Sequence, residues 1–306
     1  MNRLEGIRLS NGLLIEFMAS CALGFDGMGW YIERWPIWRS IWHLDPYEFS
    51  AIKTSTLTLD PRTGNGLHIQ TIRPHLIDDW VENAVGWRNP GISWWCEHIG
   101  SKADSQKLPL IVSIGSTLSD GSSGELYAIA AKLHQYQDRI AGVEANFACP
   151  NVGHISDSLE IVKGCRAIKQ MLPTTPLTIS LGVAHGSHLG DILPTVKEIG
   201  IEGISLNAIS WGNIFAHKRS RFERFGGGGL SGSIVKQRHW ALAGQIQEEG
   251  KIPVIWPGVR TYDDISTVYT LGGRAISFSS LFITRPGRPN SIIRRYRRDQ
   301  SSETLY

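Results

Sequence analysis

Cysteine is scarce and unpaired in this chain of 306 residues: Cys21, Cys96, Cys149 and Cys165, with no CxxC spacing. That pattern excludes a disulfide framework or zinc ribbon and offers no ligand set for an iron–sulfur cluster. Long apolar runs are missing too, since none reaches the roughly 18 residues that span a bilayer. The aromatic segment from Gly27 to Trp42 is interrupted by Glu33, Arg34, Pro36 and Arg39, and reads as irregular helix or loop. Nor is one sign of charge in excess. The balance of 31 basic and 28 acidic residues, net +3, is too even to argue for nucleic acid as a partner. With no secretory leader, a reducing cytoplasm is the expected location. The basic group Arg294, Arg295, Arg297 and Arg298 reads as a solvated helix face within a short basic tail from about residue 290.

What is present is an ordinary globular balance, 42% hydrophobic and 19% charged, which rules against disorder. Short β-rich runs recur at 15–19, 49–54, 110–115, 142–147, 177–181, 203–207, 253–256 and 275–279. Most are continuously apolar, as strands buried on both faces are. Helical periodicity fills stretches between them: 122–138, 156–172 (with Asp157 or Ser158 as its cap), 234–249 and 261–271. Eight strands alternating with helices predict an α/β chain folded as one (β/α)8 TIM barrel across 1–306. A doubly wound sheet is the structural rival.

In such a barrel the chemistry sits where strands end. The proposed strands end on Lys53, Asn146, Ser180, Asn207 and Ser279. A single polar strand end is usually a satisfied turn residue, but five on one rim point to a site. Lys53 reads as a fixed cation at the mouth. The glycine-rich RFGGGGLSG, 224–232, would let backbone N–H groups approach a phosphate, with a flexible loop as the alternative. After the seventh and eighth strands come Gly258, Arg260, Ser279 and Ser280, where barrels of this kind bind phosphate. His185 and His188, in AHGSH, read as a surface loop rather than a metal site.

The segments AIKTSTLTLDPRTGN, ENAVGWRNPG, VEANFACPNVG, GGLSG and IPVIWPGVRTYDD…LGGRAISFSS, in this order, resemble the dihydroorotate dehydrogenase family in its soluble class 1 form. They cover the chain from about residue 12 to residue 285, and NxxCPN followed by GGLSG is the specific part. The resemblance implies a barrel binding flavin mononucleotide (FMN) that oxidises dihydroorotate to orotate in de novo pyrimidine biosynthesis. It implies Cys149 as the base at the substrate's C5, with hydride passing from C6 to flavin N5. Asn83, Asn146, Asn151 and Asn207 match the substrate-binding asparagines, and Lys53 a lysine near both flavin and substrate. Ala19, Ser20, Ser180, Gly232, Gly258, Ser279 and Ser280 match the flavin's surroundings. Those residue types suit the substrate: an asparagine both donates and accepts, so a set of them can read the edge of a planar ring without carrying charge. The resemblance also implies a homodimer, with electrons passing to an acceptor such as fumarate or through a separate subunit to NAD. No amphipathic extension precedes the first strand, which sets the expectation against a membrane-attached, quinone-using form.

The sequence departs from the family at several positions. Ser180 stands where a lysine is usual, Pro257-Gly258 where two glycines are, Ser279-Ser280 where Gly-Thr is, Ala208 where a hydroxyl is, and Cys21 where a glycine is. Serine brings one hydrogen bond and no charge, and Pro257 removes a backbone N–H. The substrate-facing set is therefore better kept than the flavin-facing set. Two alternatives stay open: a flavin barrel acting on another pyrimidine-like ring, and a relative that binds without turnover.

Overall fold

The computed structural model describes residues 3–29, 35–118, 122–152 and 156–303; Glu33 and Arg34 of the aromatic segment, and Gly153 of VEANFACPNVG, fall outside them. Eight parallel strands close into a barrel: β1 (Phe17–Ala19), β2 (Ala51–Lys53), β3 (Leu110–Ile114), β4 (Gly142–Asn146), β5 (Leu177–Leu181), β6 (Gly203–Leu206), β7 (Val254–Trp256) and β8 (Ala275–Phe278). β8 pairs back onto β1, with Ile276 opposite Phe17 and Phe278 opposite Ala19. Each strand falls within one of the eight apolar runs. β1 starts at Phe17 rather than Ile15, because Leu14–Ile15 instead pairs antiparallel with Ile7–Arg8. The Ser50 hydroxyl takes the N–H groups of Glu16 and Phe17, both at 2.9 Å, at that changeover.

Helices wrap the outside: α1 (Pro36–Ile41), α2 (Ile92–His98), α3 (Ser122–Leu133), α4 (Ser158–Met171), α5 (Leu189–Ile199), α6 (Lys236–Gly250), α7 (Asp263–Thr270), α8 (Ser280–Thr284) and α9 (Arg288–Glu303). Asp157 caps α4 in a reciprocal box: its carboxylate accepts from Glu160 N at 2.8 Å while Glu160 accepts from Asp157 N at 2.9 Å. The helix expected over 122–138 stops at Leu133 and continues as a 3₁₀ helix to Arg139. α9 contains the basic segment from about residue 290. Ile292, Ile293 and Tyr296 are buried, Arg294 pairs with Glu48 at 2.6 Å, and Arg297 donates to Glu48 O at 2.7 Å.

Strand alternation sorts the barrel interior by depth. At the closed end a small apolar cluster (Ile7, Ile15, Met18, Ala51, Ile111, Ile255 and Ala275 among it) forms the floor. Two residues on, the same strands carry Lys53, Ser113 and Ser277, all buried. The floor is thus apolar and the layer above it polar.

A second, antiparallel sheet over residues 72–75, 80–83, 209–210 and 229–232 went unread in the sequence. GGLSG is a strand of it rather than a flexible loop: Gly229–Gly232 pairs with Trp80–Asn83. The glycines serve close packing. A Cβ on Gly229 would lie 2.9 Å from both Ala208 Cβ and Pro150 Cγ, and one on Gly228, at φ +81°, would lie 2.8 Å from Asn83 O. His185 is likewise no surface histidine. It is buried, with Nδ1 accepting from Gly182 N at 3.1 Å and Nε2 3.0 Å from Ser156 O.

Candidate active site

A cavity of about 810 Å³ opens at the carboxyl ends of the barrel strands, with the antiparallel sheet along one side. Lys53, Asn83, Asn146, Cys149, Asn151, Asn207, Ser20, Gly258, Ser279 and Ser280 all line it. Ala19, Ser180 and Gly232 do not. Ala19 is buried inside β1, and Gly232 (φ +102°) faces the Trp80 backbone. Ser180 lies in β5 beside Asn146 of β4, its Oγ buried without a hydrogen-bond partner among the described residues.

The asparagines form linked hydrogen bonds. Asn207 Nδ2 donates to Asn146 Oδ1 at 2.8 Å, and Asn146 Nδ2 donates to Thr56 Oγ1 at 2.9 Å. Asn151 Nδ2 donates to Asn83 Oδ1 at 2.7 Å, while Asn83 Nδ2 reaches Gly229 O at 3.4 Å. Asn151 Oδ1 is buried and has no hydrogen-bond partner among the described residues. Buried acceptors of this kind are costly unless something donates to them. The arrangement therefore leaves an acceptor to be met by a ligand, held by a framework that spans barrel and roof.

Lys53 is not a free cation at the mouth. Its Nζ lies 2.8 Å and 3.0 Å from the two carboxylate oxygens of Glu144 and 3.2 Å from Ser205 Oγ, which itself donates to Glu144 at 2.6 Å. Sequence reasoning missed Glu144, although a carboxylate two residues before Asn146 in an otherwise apolar strand marks an inward-facing polar position. It also missed Thr56, Trp87 and His239, all on the cavity wall. Arg260 lines the cavity but its guanidinium is taken up. Nε donates to Asp79 Oδ2 at 2.8 Å, Nη1 to Ser280 Oγ at 2.9 Å, and Nη2 to Asp79 and to Thr284 at 2.6 Å. Burial works against the Asp79 carboxylate. The hydrogen bonds and charge of Arg260, with Thr284 and Arg285, outweigh it and hold Asp79 below the usual range.

Cys149 follows β4 and is 8% exposed. Burial pushes its thiol up to about 12; the backbone N–H of Asn151, the charge of Arg62 and the indole of Trp87 pull the other way, and Cys21 adds to the upward push. Burial also raises Cys96 to about 11 and Cys165 to about 12, but neither lines the cavity. His239, whose Nε2 donates to Asn207 O at 2.9 Å, is driven down to about 4 by burial.

The cavity's other half, past Gly258, offers donors rather than free charge. Gly258 sits at φ +82°, a conformation that leaves its peptide without a side chain in the way. Ser279 and Ser280 add hydroxyls, while Lys236, facing Gly258, is committed to Asp264 at 3.0 Å. Such a set fits a phosphate-bearing group held by hydrogen bonds.

Fold and site together define a (β/α)8 barrel with a polar cavity at the carboxyl ends of its strands. The model of the family described as dihydroorotate dehydrogenase matches residues 18–294. The chain belongs to the dihydroorotate dehydrogenase family, a family of flavin-dependent oxidoreductases. Among relatives, the catalytic subunit of dihydroorotate dehydrogenase B (NAD(+)) from Brachyspira hyodysenteriae is 25% identical over 262 residues, 82% of each chain. The protein of the same description from Parabacteroides distasonis is 27% identical over 253 residues, covering 79% of this chain and 78% of that one. A DHODH structure from Eimeria tenella with ferulenol superposes at TM-score 0.73 and 15% identity, covering all of this chain and 87% of that one. No described helix is long and apolar enough to cross a membrane.

Proposed function

We propose that the protein oxidises dihydroorotate to orotate in pyrimidine biosynthesis with FMN as its cofactor and Cys149 as its base. The observation that carries this reading is the convergence on one cavity of Cys149 with Asn83, Asn146, Asn151 and Asn207. The reaction needs a proton removed from C5 and a hydride from C6, leaving a double bond between them. The thiolate of Cys149 takes the C5 proton. The asparagine amides hold the ring's carbonyl and N–H edge, with Asn151 Oδ1 as a ready acceptor. FMN, when bound, supplies the acceptor for the hydride leaving C6. Lys53, with its charge balanced by Glu144, lines the cavity at its inner end; Gly258, Ser279 and Ser280 hold the phosphate, and Ser20 borders the flavin. The relatives are catalytic subunits of an NAD(+)-linked enzyme, and reoxidation through a second, NAD-linked subunit completes the reading.

The test is spectroscopic. Protein purified or titrated with FMN shows a bound flavin spectrum, and dihydroorotate bleaches it without oxygen. Cys149→Ala keeps the flavin and slows bleaching by a factor of about 10² or more. Flavin that binds but is untouched by dihydroorotate would overturn the substrate, and unchanged bleaching in Cys149→Ala would overturn the base.

A further inference from the structure

We infer that His239 is a cofactor-binding residue, its Nδ1 accepting a hydrogen bond from a hydroxyl of the chain that joins the flavin ring to its phosphate. The inference rests on the reading of FMN as the cofactor, with its phosphate at Gly258, Ser279 and Ser280.

The placement of α6 leads to it. Two adjacent side chains pin this helix over the ends of two barrel strands. His239 Nε2 donates to Asn207 O, just past β6, at 2.9 Å. Trp240 Nε1 donates to Pro257 O, just past β7, at 2.8 Å. β6 and β7 are neighbours, with Ser205 opposite Ile255. The imidazole therefore stands between the asparagines and the phosphate end of the cavity. Lys236, one turn earlier, packs on Gly258, where a Cβ would lie 3.3 Å from Lys236 Cγ. Residues three apart on a helix share a face, with Cβ atoms about 5–6 Å apart. A ligand reaching from Asn207 to Gly258 passes His239.

The hydrogen-bond partner fixes what His239 offers. A carbonyl oxygen only accepts, so Nε2 carries the ring proton, and Nδ1 of the neutral ring carries a lone pair. Burial keeps the ring neutral, holding it down at about 4. Nδ1 has no hydrogen-bond partner among the described residues. It is not sealed in the protein as the unpartnered Ser180 Oγ and Trp256 Nε1 are. Nδ1 therefore meets open space, and the open space that His239 borders is the cavity. An uncharged acceptor there calls for a donor. Phosphate oxygens are acceptors, and the N–H of the flavin ring lies on its pyrimidine edge, away from the chain. The chain's hydroxyls are the donors that lie between ring and phosphate. A leucine at position 239 would avoid burying a polar ring but would leave those hydroxyls without this acceptor.

The test reads binding, not turnover. Flavin-free wild type and His239→Phe are each titrated with FMN by fluorescence quenching. Both are then titrated with an analogue whose alkyl chain of the same length bears the phosphate and no hydroxyls. Phenylalanine fills the imidazole's space without an acceptor. FMN affinity is expected to fall about three-fold to ten-fold in His239→Phe, while the analogue binds both proteins alike. Loss of the bond to Asn207 O acts on both ligands equally, so the comparison cancels it. Unchanged FMN affinity overturns the inference, and so does an equal loss for both ligands, which would mark a packing effect. His239→Leu gives the same comparison should the phenylalanine variant not fold. Wild type that takes up no FMN would sink the cofactor reading and this inference together. Wild type that binds FMN no better than His239→Phe would sink the inference alone.

Discussion

At the scale of single residues, environment decides what each group can do. Cys149 and Cys165 are both pushed up to about 12 by burial, yet only Cys149 lines the cavity with donors around its sulfur. The thiol is therefore mostly protonated at neutral pH. Flavin reduction by dihydroorotate should accelerate as pH rises from about 7 to about 9, close to ten-fold per unit while the anion is the minor form; a flat profile measured by anaerobic stopped flow would contradict that. Lys53 shows the converse, a buried charge that persists because Glu144 meets it. Glu144→Gln leaves the ammonium buried with an amide and the Ser205 hydroxyl but no counter-charge, and should cost about 3 kcal/mol of unfolding free energy in urea titration. The double change Lys53→Met with Glu144→Leu should cost much less, since an apolar pair removes both charges.

Elements turn those residues into a site. The roof is a four-stranded antiparallel sheet drawn from two distant parts of the chain, and it brings Asn83 onto Asn151 at 2.7 Å. Its fit depends on Gly229, where a methyl would press on Ala208 and Pro150. Gly229→Ala should raise KM for dihydroorotate several-fold while thermal stability changes little, because the barrel beneath is untouched. The outer helices follow local rules. Asp157→Ala removes the α4 cap, and calorimetry should show a loss of about 1 kcal/mol with kinetics unaltered. The barrel strands were legible because uninterrupted apolar runs can be buried only on both faces. The roof strands were not: IRPH, WVEN and GLSG alternate weakly, and they become strands only by pairing with one another.

For the whole molecule, the polar layer is confined between an apolar floor and the roof, and burial there carries a pH cost. His239 has a folded value of about 4 against an ordinary 6.5. A histidine lowered by folding binds its proton more readily when unfolded. It costs nothing above pH 6.5, and stability falls as pH drops from about 6.5 to about 4, by a few kcal/mol in all. Urea midpoints between about pH 7 and about pH 4.5 should fall for the wild type and fall less for His239→Gln; parallel curves would show that other groups dominate.

By itself the sequence determined the barrel and part of the cavity wall. Apolar strands of fixed length with polar ends are local features, and NxxCPN with GGLSG is a local signature. Only the tertiary structure decided how charges and donors pair. It joined Lys53 to Glu144 and Arg260 to Asp79, and drew GGLSG into a roof strand. Those partners stand between 91 and 181 positions apart in the chain. Such separations leave no periodicity to read, so which charges cancel is settled only when the barrel closes.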